Sequence, residues 1–154
     1  SEQIDRELES VNESFGTDDW QPILYLPNDL PAVTLAALRR MSRFCVVSSL
    51  HDGMNLVAKE YVASRFDEDG VLILSPFTGA AHELTDSLIV NPYATEEFAQ
   101  AIRDAVEMPL EERQARMVRM RSIVEENNIY MWAARAFVDM MQGTRRSRRP
   151  IQNF

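Results

Sequence analysis

The chain predicts an α/β fold built on a parallel sheet, and three observations predict it. "FCVVSS", "VLILS" and "SLIVNP" are short apolar runs without polar alternation, as strands buried on both faces require. Segments of helical periodicity separate them. From Thr95 onward the pattern stays helical, which closes the sheet with helices.

Each element has its own signal. Ile4, Leu8, Val11 and Phe15 fall at i, i+4, i+7 and i+11, one stripe of a first helix that Gly16 ends. "PILYL", Pro22 to Leu26, reads as a short buried strand, and "PNDLP" as a turn. "AVTLAALRRM" is helical, with Arg39 and Arg40 at the end where positive charge suits the dipole. After "FCVVSS" comes the helix "NLVAKEYVAS", then the loop "DEDG" and the strand "VLILS". "PFTGAAHEL" turns from loop into a short helix, and "SLIVNP" supplies a fourth strand. Phe98, Ile102, Ala105 and Val106 mark one face of the next helix. Leu110, Met117, Met120 and Val124 mark another beyond the "MP" break, and Ala133, Ala136, Phe137 and Met140 a last one. Residues 1–142 then read as one α/β domain, and 143–154 as a basic, mobile tail.

Composition narrows the class. At 154 residues, 45% hydrophobic and 26% charged, the chain has the make-up of one ordinary globular domain. No apolar run approaches the roughly 18 residues of a membrane span. The acidic start "SEQIDRELES" is no secretory signal, so a cytoplasmic protein is expected. Lone Cys45 leaves no disulfide framework and no Cys-x-x-Cys metal spacing. A net charge of −8 argues against a nucleic-acid surface, although four arginines crowd Arg145 to Arg149. Lys59 is the only lysine, which would make it easy to probe chemically.

The segment with the most chemistry is "LHDGMNLVAKEY", Leu50 to Tyr61. Ligand crevices of parallel sheets lie outside the carboxyl ends of the strands, and this turn follows such an end. Gly53 permits close backbone approach and unusual dihedrals. Asn55 is placed to cap the helix. Amides around Asn55 to Val57 would lack intrahelical partners at the positive end of the dipole, a phosphate-type anion site. Many such turns, however, carry Gly and Asn for geometry alone. Asp52 and Glu60 flank that position. Carboxylates repel phosphates but accept well from sugar hydroxyls, so a diphosphate between two hydroxyl-rich rings, a nucleotide sugar, fits them. Glu60 also reads as a plain exposed helix acid.

"DGMNLVAKEY" resembles the donor-site segment of trehalose-6-phosphate synthases, retaining glycosyltransferases of the GT-B fold. "FGTDDWQPILYL", "GVLILSPFTGAAHEL", "LIVNPY" and "MPLEER" resemble the same family in its order and spacing, over approximately Ile4 to Met140. The resemblance implies the C-terminal, donor-binding domain, with residues 1–142 a partial nucleotide-sugar-binding Rossmann-like domain. Asp52 would bond hydroxyls of the donor glucose and be the residue with a catalytic role, while backbone groups of Gly53, Met54 and Asn55 contact that sugar. Leu56 and Val57 amides would hold the diphosphate, Glu60 the ribose hydroxyls, and the Leu30 backbone the uracil. It implies UDP-glucose or UDP as ligand, no cofactor and no metal, and glucose 6-phosphate as acceptor. His51 stands where the family usually has Arg, and His82 is given no chemistry.

The family's acceptor-binding N-terminal domain and its basic diphosphate clamps find no counterpart in this chain. A piece of a donor domain is therefore expected, inactive alone and prone to homo-oligomerise through an exposed sheet edge. Neither nucleic acid nor membrane is an expected partner. A non-catalytic or regulatory nucleotide-sugar module stays open, as does a related glucosyltransferase with another acceptor, such as glycerol 3-phosphate.

Overall fold

The computed structural model describes residues 2–127 together with Met131, Phe137, Val138, Met140 and Met141. Two compact units divide the chain, Ser1–Ala32 and Val33–Phe154.

The first unit holds helix α1, Glu2–Phe15. Its stripe is shallow: Leu8 and Val11 are half-buried, whereas Ile4 and Phe15 are exposed. Gly16 ends the helix as expected, its amide donating to the Asn12 carbonyl at 2.8 Å. Pro22–Leu26 is not the strand that its apolar letters predict. The Asn12 side chain takes both backbone groups of Ile23, donating to its carbonyl and accepting from its amide, each at 3.0 Å. That satisfies one residue of backbone where a neighbouring strand would satisfy several. Leu24, Tyr25 and Leu26 stay exposed.

The second unit carries a three-stranded parallel sheet in the order β1-β2-β3, and not the four strands expected. Helix α2, Ala32–Met41, leads to β1, Phe44–Val47. Helix α3, Leu56–Ser64, crosses to β2, Val71–Leu74. A 3₁₀ turn, Gly79–His82, precedes β3, which shrinks to Leu88–Ile89. Helices α4, Thr95–Glu107, and α5, Leu110–Glu126, follow. Phe44 pairs with Val71, Val47 with Leu74, and Leu74 with Ile89.

Alternation along β2 divides the core into two layers. Leu72 and Leu74 pack with Val47, Ala58, Tyr61, Val62, Met117 and Met120 on the α3 and α5 face. Val71 and Ile73 pack with Val90, Ala101, Ala105 and Met108 on the α4 face. Central β2 is buried at every position, as a strand covered on both faces must be. β1 is an edge of this sheet, and Val46 is 40% exposed.

Two helical stripes shift from their expected lines. On α4, Ala105 is buried and Phe98 and Ile102 pack against the core as expected, but Ala101 joins them where Val106 was expected, and Val106 is exposed. On α5, Leu110 is exposed and Arg113 occupies the buried line with Met117 and Met120. A charge sits there because Asp69 neutralises it: Arg113 Nε reaches Asp69 Oδ1 at 2.5 Å. Among the described residues no helix is long and apolar enough to cross a membrane. Phe137 and Met140 are helical, but the rest of the expected last helix, the boundary at 142 and the basic tail lie outside the described residues.

Candidate functional site

The carboxyl ends of β1 and β2 open into two loops that are fastened to each other. Asp52 and Thr78 form a parallel bridge. The Asp52 amide donates to the Phe77 carbonyl at 3.3 Å, and the Gly79 amide to the Gly53 carbonyl at 2.6 Å. These two bonds extend the pairing of β1 and β2 beyond the sheet proper, so the turn before α3 is held by backbone.

Glycine matters here at a position the sequence did not single out. A Cβ on Gly79 would overlap the Gly53 carbonyl oxygen, whereas a Cβ on Gly53 would meet nothing within 4 Å. No glycine of the described chain has positive φ; the left-handed residue of the loop is Asn55, at φ 49°. The unusual dihedrals expected of Gly53 therefore belong to Asn55, a residue type that tolerates them through its short polar side chain. Open space above Gly53 leaves room for the close approach expected there.

Asn55 is the cap of α3, its Oδ1 accepting from the Ala58 amide at 2.9 Å. Its Nδ2 donates to Asp52 Oδ2 at 2.7 Å. One buried amide side chain thus fixes both the helix start and the carboxylate. Of the amides a helix leaves unmatched in its first turn, the cap uses that of Ala58. Those of Asn55, Leu56 and Val57 remain at the positive end of the dipole.

Burial sorts the expected site residues. Asp52 is half-buried, and Gly53, Met54, Leu56, Val57 and Glu60 are exposed around buried Asn55. The inward face of α3 is Ala58, Tyr61 and Val62, so Leu56, Val57 and Glu60 point away from the core. Leu30 is half-buried in the first unit. His51 and His82 are exposed.

Two cations missed in the sequence hold the acids and the helix. Arg39 Nη2, from the last turn of α2, pairs with Glu60 Oε2 at 2.6 Å. Lys59 Nζ donates to both carboxylate oxygens of Glu83 at 2.9 Å, tying α3 to the segment after the 3₁₀ turn. With its side chain only 14% exposed, Lys59 is a structural tie and a poor target for labelling. A long cationic side chain announces no partner in sequence, but Arg39 does stand where a helix-terminal charge was expected.

Nearby, Ser48, Pro92, Thr95 and Phe98 line a cavity of about 200 Å³ at the same end of the sheet. Phe77 and Tyr93 meet edge to face across the loops after β2 and β3, ring centres 6.3 Å apart. No cluster of three or more potential metal ligands forms among the described residues.

Comparison with known proteins agrees with this architecture. Residues 1–142 match the sequence profile of glycosyltransferase family 20. The trehalose-6-phosphate synthase of Klebsiella pneumoniae is 44% identical over 146 residues, 94% of this chain and 31% of the relative. That of Cronobacter sakazakii is 43% identical over 153 residues, 98% of this chain and 32% of its own length. Among solved structures, an α,α-trehalose-phosphate synthase (UDP-forming) from Burkholderia vietnamiensis superposes with a TM-score of 0.86 at 42% identity, covering 93% of this chain and 32% of its own. Trehalose-6-phosphate from E. coli bound with UDP-2-fluoro glucose gives 0.87 at 41%, covering 92% and 32%. The chain thus spans about a third of the length of the relatives it matches. A parallel sheet with flanking helices, the profile over residues 1–142 and relatives above 40% identity agree: the chain belongs to glycosyltransferase family 20.

Proposed function

We propose that this chain is the donor-binding part of a retaining glucosyltransferase that moves glucose from UDP-glucose to glucose 6-phosphate, forming trehalose 6-phosphate. One observation carries the reading. The turn from Asp52 to Asn55 is fastened to Thr78–Gly79, which holds the Asp52 carboxylate beside the first amides of α3 at the carboxyl end of β1. Similarity to the E. coli structure bound with UDP-2-fluoro glucose supports a nucleotide sugar as the ligand class.

The chemistry follows from the groups present. Leu56 and Val57 amides, at the positive end of α3, stabilise the diphosphate that accumulates charge as it leaves. Asp52 accepts from hydroxyls of the glucose and orients it, with Asn55 holding one of its oxygens at 2.7 Å. Glu60 accepts from the ribose. Asp52 is the residue of this chain closest to the chemistry, and none is assigned as general base. The reading requires neither cofactor nor metal, and it assigns no residue of this chain to the acceptor. Transfer therefore needs a second wall to the cleft, and the 154 residues alone are expected to be inactive. This reading takes the protein to act in the cytoplasm.

Amide NMR of the ¹⁵N-labelled chain with millimolar UDP and UDP-glucose tests the binding half. Shifts concentrated at Asn55, Leu56 and Val57 are expected. Their absence with both ligands would overturn the reading. Detecting trehalose 6-phosphate from the isolated chain would overturn its inactive-part clause.

A further inference from the structure

Glu60 is not a free acceptor. Its Oε2 is held at 2.6 Å by Arg39 Nη2, and the two side chains are unequally buried: 20% exposed for Arg39, 51% for Glu60. The arginine is fixed by its packing at the end of α2, and the carboxylate is the member that would otherwise swing in solvent. Exposed ion pairs contribute little to stability, so this contact has small value as a brace for the fold. What it does change is the freedom of Glu60. A glutamate has three rotatable bonds to freeze when a ligand claims it, and that ordering weakens binding.

We propose that Arg39 is a positioning residue for nucleotide binding: it pre-orders the Glu60 carboxylate so that a vicinal diol of the ligand meets an acceptor already in place. The Arg39 guanidinium pairs with Oε2 alone, as an ion pair, which leaves Oε1 to accept a hydroxyl and Oε2 its outer side for a second. The inference rests on the reading of Glu60 as the ribose acceptor. It adds a residue of another helix, which acts through Glu60 and touches no ligand itself.

Three probes separate its failure from that of the reading beneath it: UDP, 2′,3′-dideoxy-UDP and pyrophosphate, titrated into the chain by amide NMR. Arg39→Met keeps the apolar stem and removes the guanidinium. Expected is a loss of about fivefold in UDP affinity, within the range for immobilising one rotamer-rich side chain on binding, with pyrophosphate and dideoxy-UDP unchanged. Arg39→Lys should recover part of it, and in a Glu60→Gln background Arg39→Met should cost less. Equal losses for pyrophosphate and UDP would mean a direct phosphate or purely structural role and overturn the proposal, as would unchanged UDP binding. If the unsubstituted chain binds UDP no better than its dideoxy analogue, the ribose role of Glu60 fails first and takes Arg39 with it.

Discussion

The two ends of the sheet use the same kinds of side chain to opposite effect. At the amino end, Arg65 donates to the carbonyls of Arg40, Ser42 and Asp69 and to the Asp67 carboxylate. Arg113 engages both oxygens of Asp69 and donates to the Met108 carbonyl at 2.7 Å. Tyr61 adds its hydroxyl to the carbonyls of Ser42 and Arg43, and burial pushes its pKa well above the ordinary value. Acceptors there are consumed. At the carboxyl end, Asp52 and Glu60 each give one oxygen to a neighbour, Asn55 or Arg39, and keep the other side of the carboxylate open. Carboxylates and carbonyls engaged this densely lock strands together, although Arg65 Nε is buried there without a partner; groups half-matched are held in place yet can still take a ligand. The difference favours the carboxyl end as the binding end in the proposed function.

Asp52→Ala breaks the comparison most sharply. In an active full-length synthase carrying this segment, it should abolish detectable transfer, since each charge-assisted bond to a sugar hydroxyl is worth roughly 1.5–3 kcal/mol. UDP-glucose should weaken while UDP does not, because UDP lacks the sugar. Calorimetry with both ligands checks this, and near-normal turnover would remove Asp52 from the site. The fold should persist, since Asp52 lies at the rim.

Arg113→Met is the counterpart at the closed end and should cost about 2 kcal/mol of stability with little effect on ligand affinity. It also has a pH signature. The hydrogen bond from Arg113 holds the Asp69 carboxyl below its usual pKa. A carboxyl depressed in the folded state contributes stability above its unfolded pKa, near 3.9, and loses it as pH falls through the lower folded value. Urea melts between pH 6 and pH 3 should show a shallower acid loss in the variant than in the parent. Parallel curves would detach Asp69 from that limb.

Two glycines sharpen the contrast within the open end. Gly79→Ala must push its Cβ into the Gly53 carbonyl, which belongs to the backbone and cannot swing aside. Overpacking of this kind costs roughly 1–3 kcal/mol and should loosen the Asp52 turn. Gly53→Ala meets open space, so its melting temperature should hardly move. Equal melting temperatures for the two variants would show that the Gly53–Gly79 approach does not constrain the loop.

How far the sequence carried varies with the physics involved. Periodicity located α1 to α5 and the three strands, because burial imposes a repeat on the letters. It failed at Pro22–Leu26, where apolar letters lie exposed and Asn12 supplies the backbone partner that a strand would otherwise need. Val106 and Leu110 were misplaced for a related reason: an apolar residue next to the stripe reads like one on it, and no sequence rule puts Arg113 in a core before Asp69 is known to face it. The site was legible where chemistry is local, as in Asn55 capping its own helix. Contacts between distant segments, Gly53 with Gly79 and Arg39 with Glu60, left no mark in spacing.

Asn55 supplies the smallest effect and the finest test, because it serves both halves of the open end at once. Asn55→Ala removes the bond to the Ala58 amide and places an ordinary residue at φ 49°, and losing such a cap costs about 1 kcal/mol. Asn55→Gly relieves the dihedral and retains much of the cap's value, so only a few tenths of a kcal/mol should be lost. Both variants, however, release Asp52 Oδ2 from its 2.7 Å partner. Stability and ligand selectivity should therefore part company: Ala and Gly differ in thermal melting, yet both narrow the preference for UDP-glucose over UDP by the same factor. If the glycine variant keeps the parent's selectivity, Asn55 is a helix cap alone and Asp52 holds its position without it.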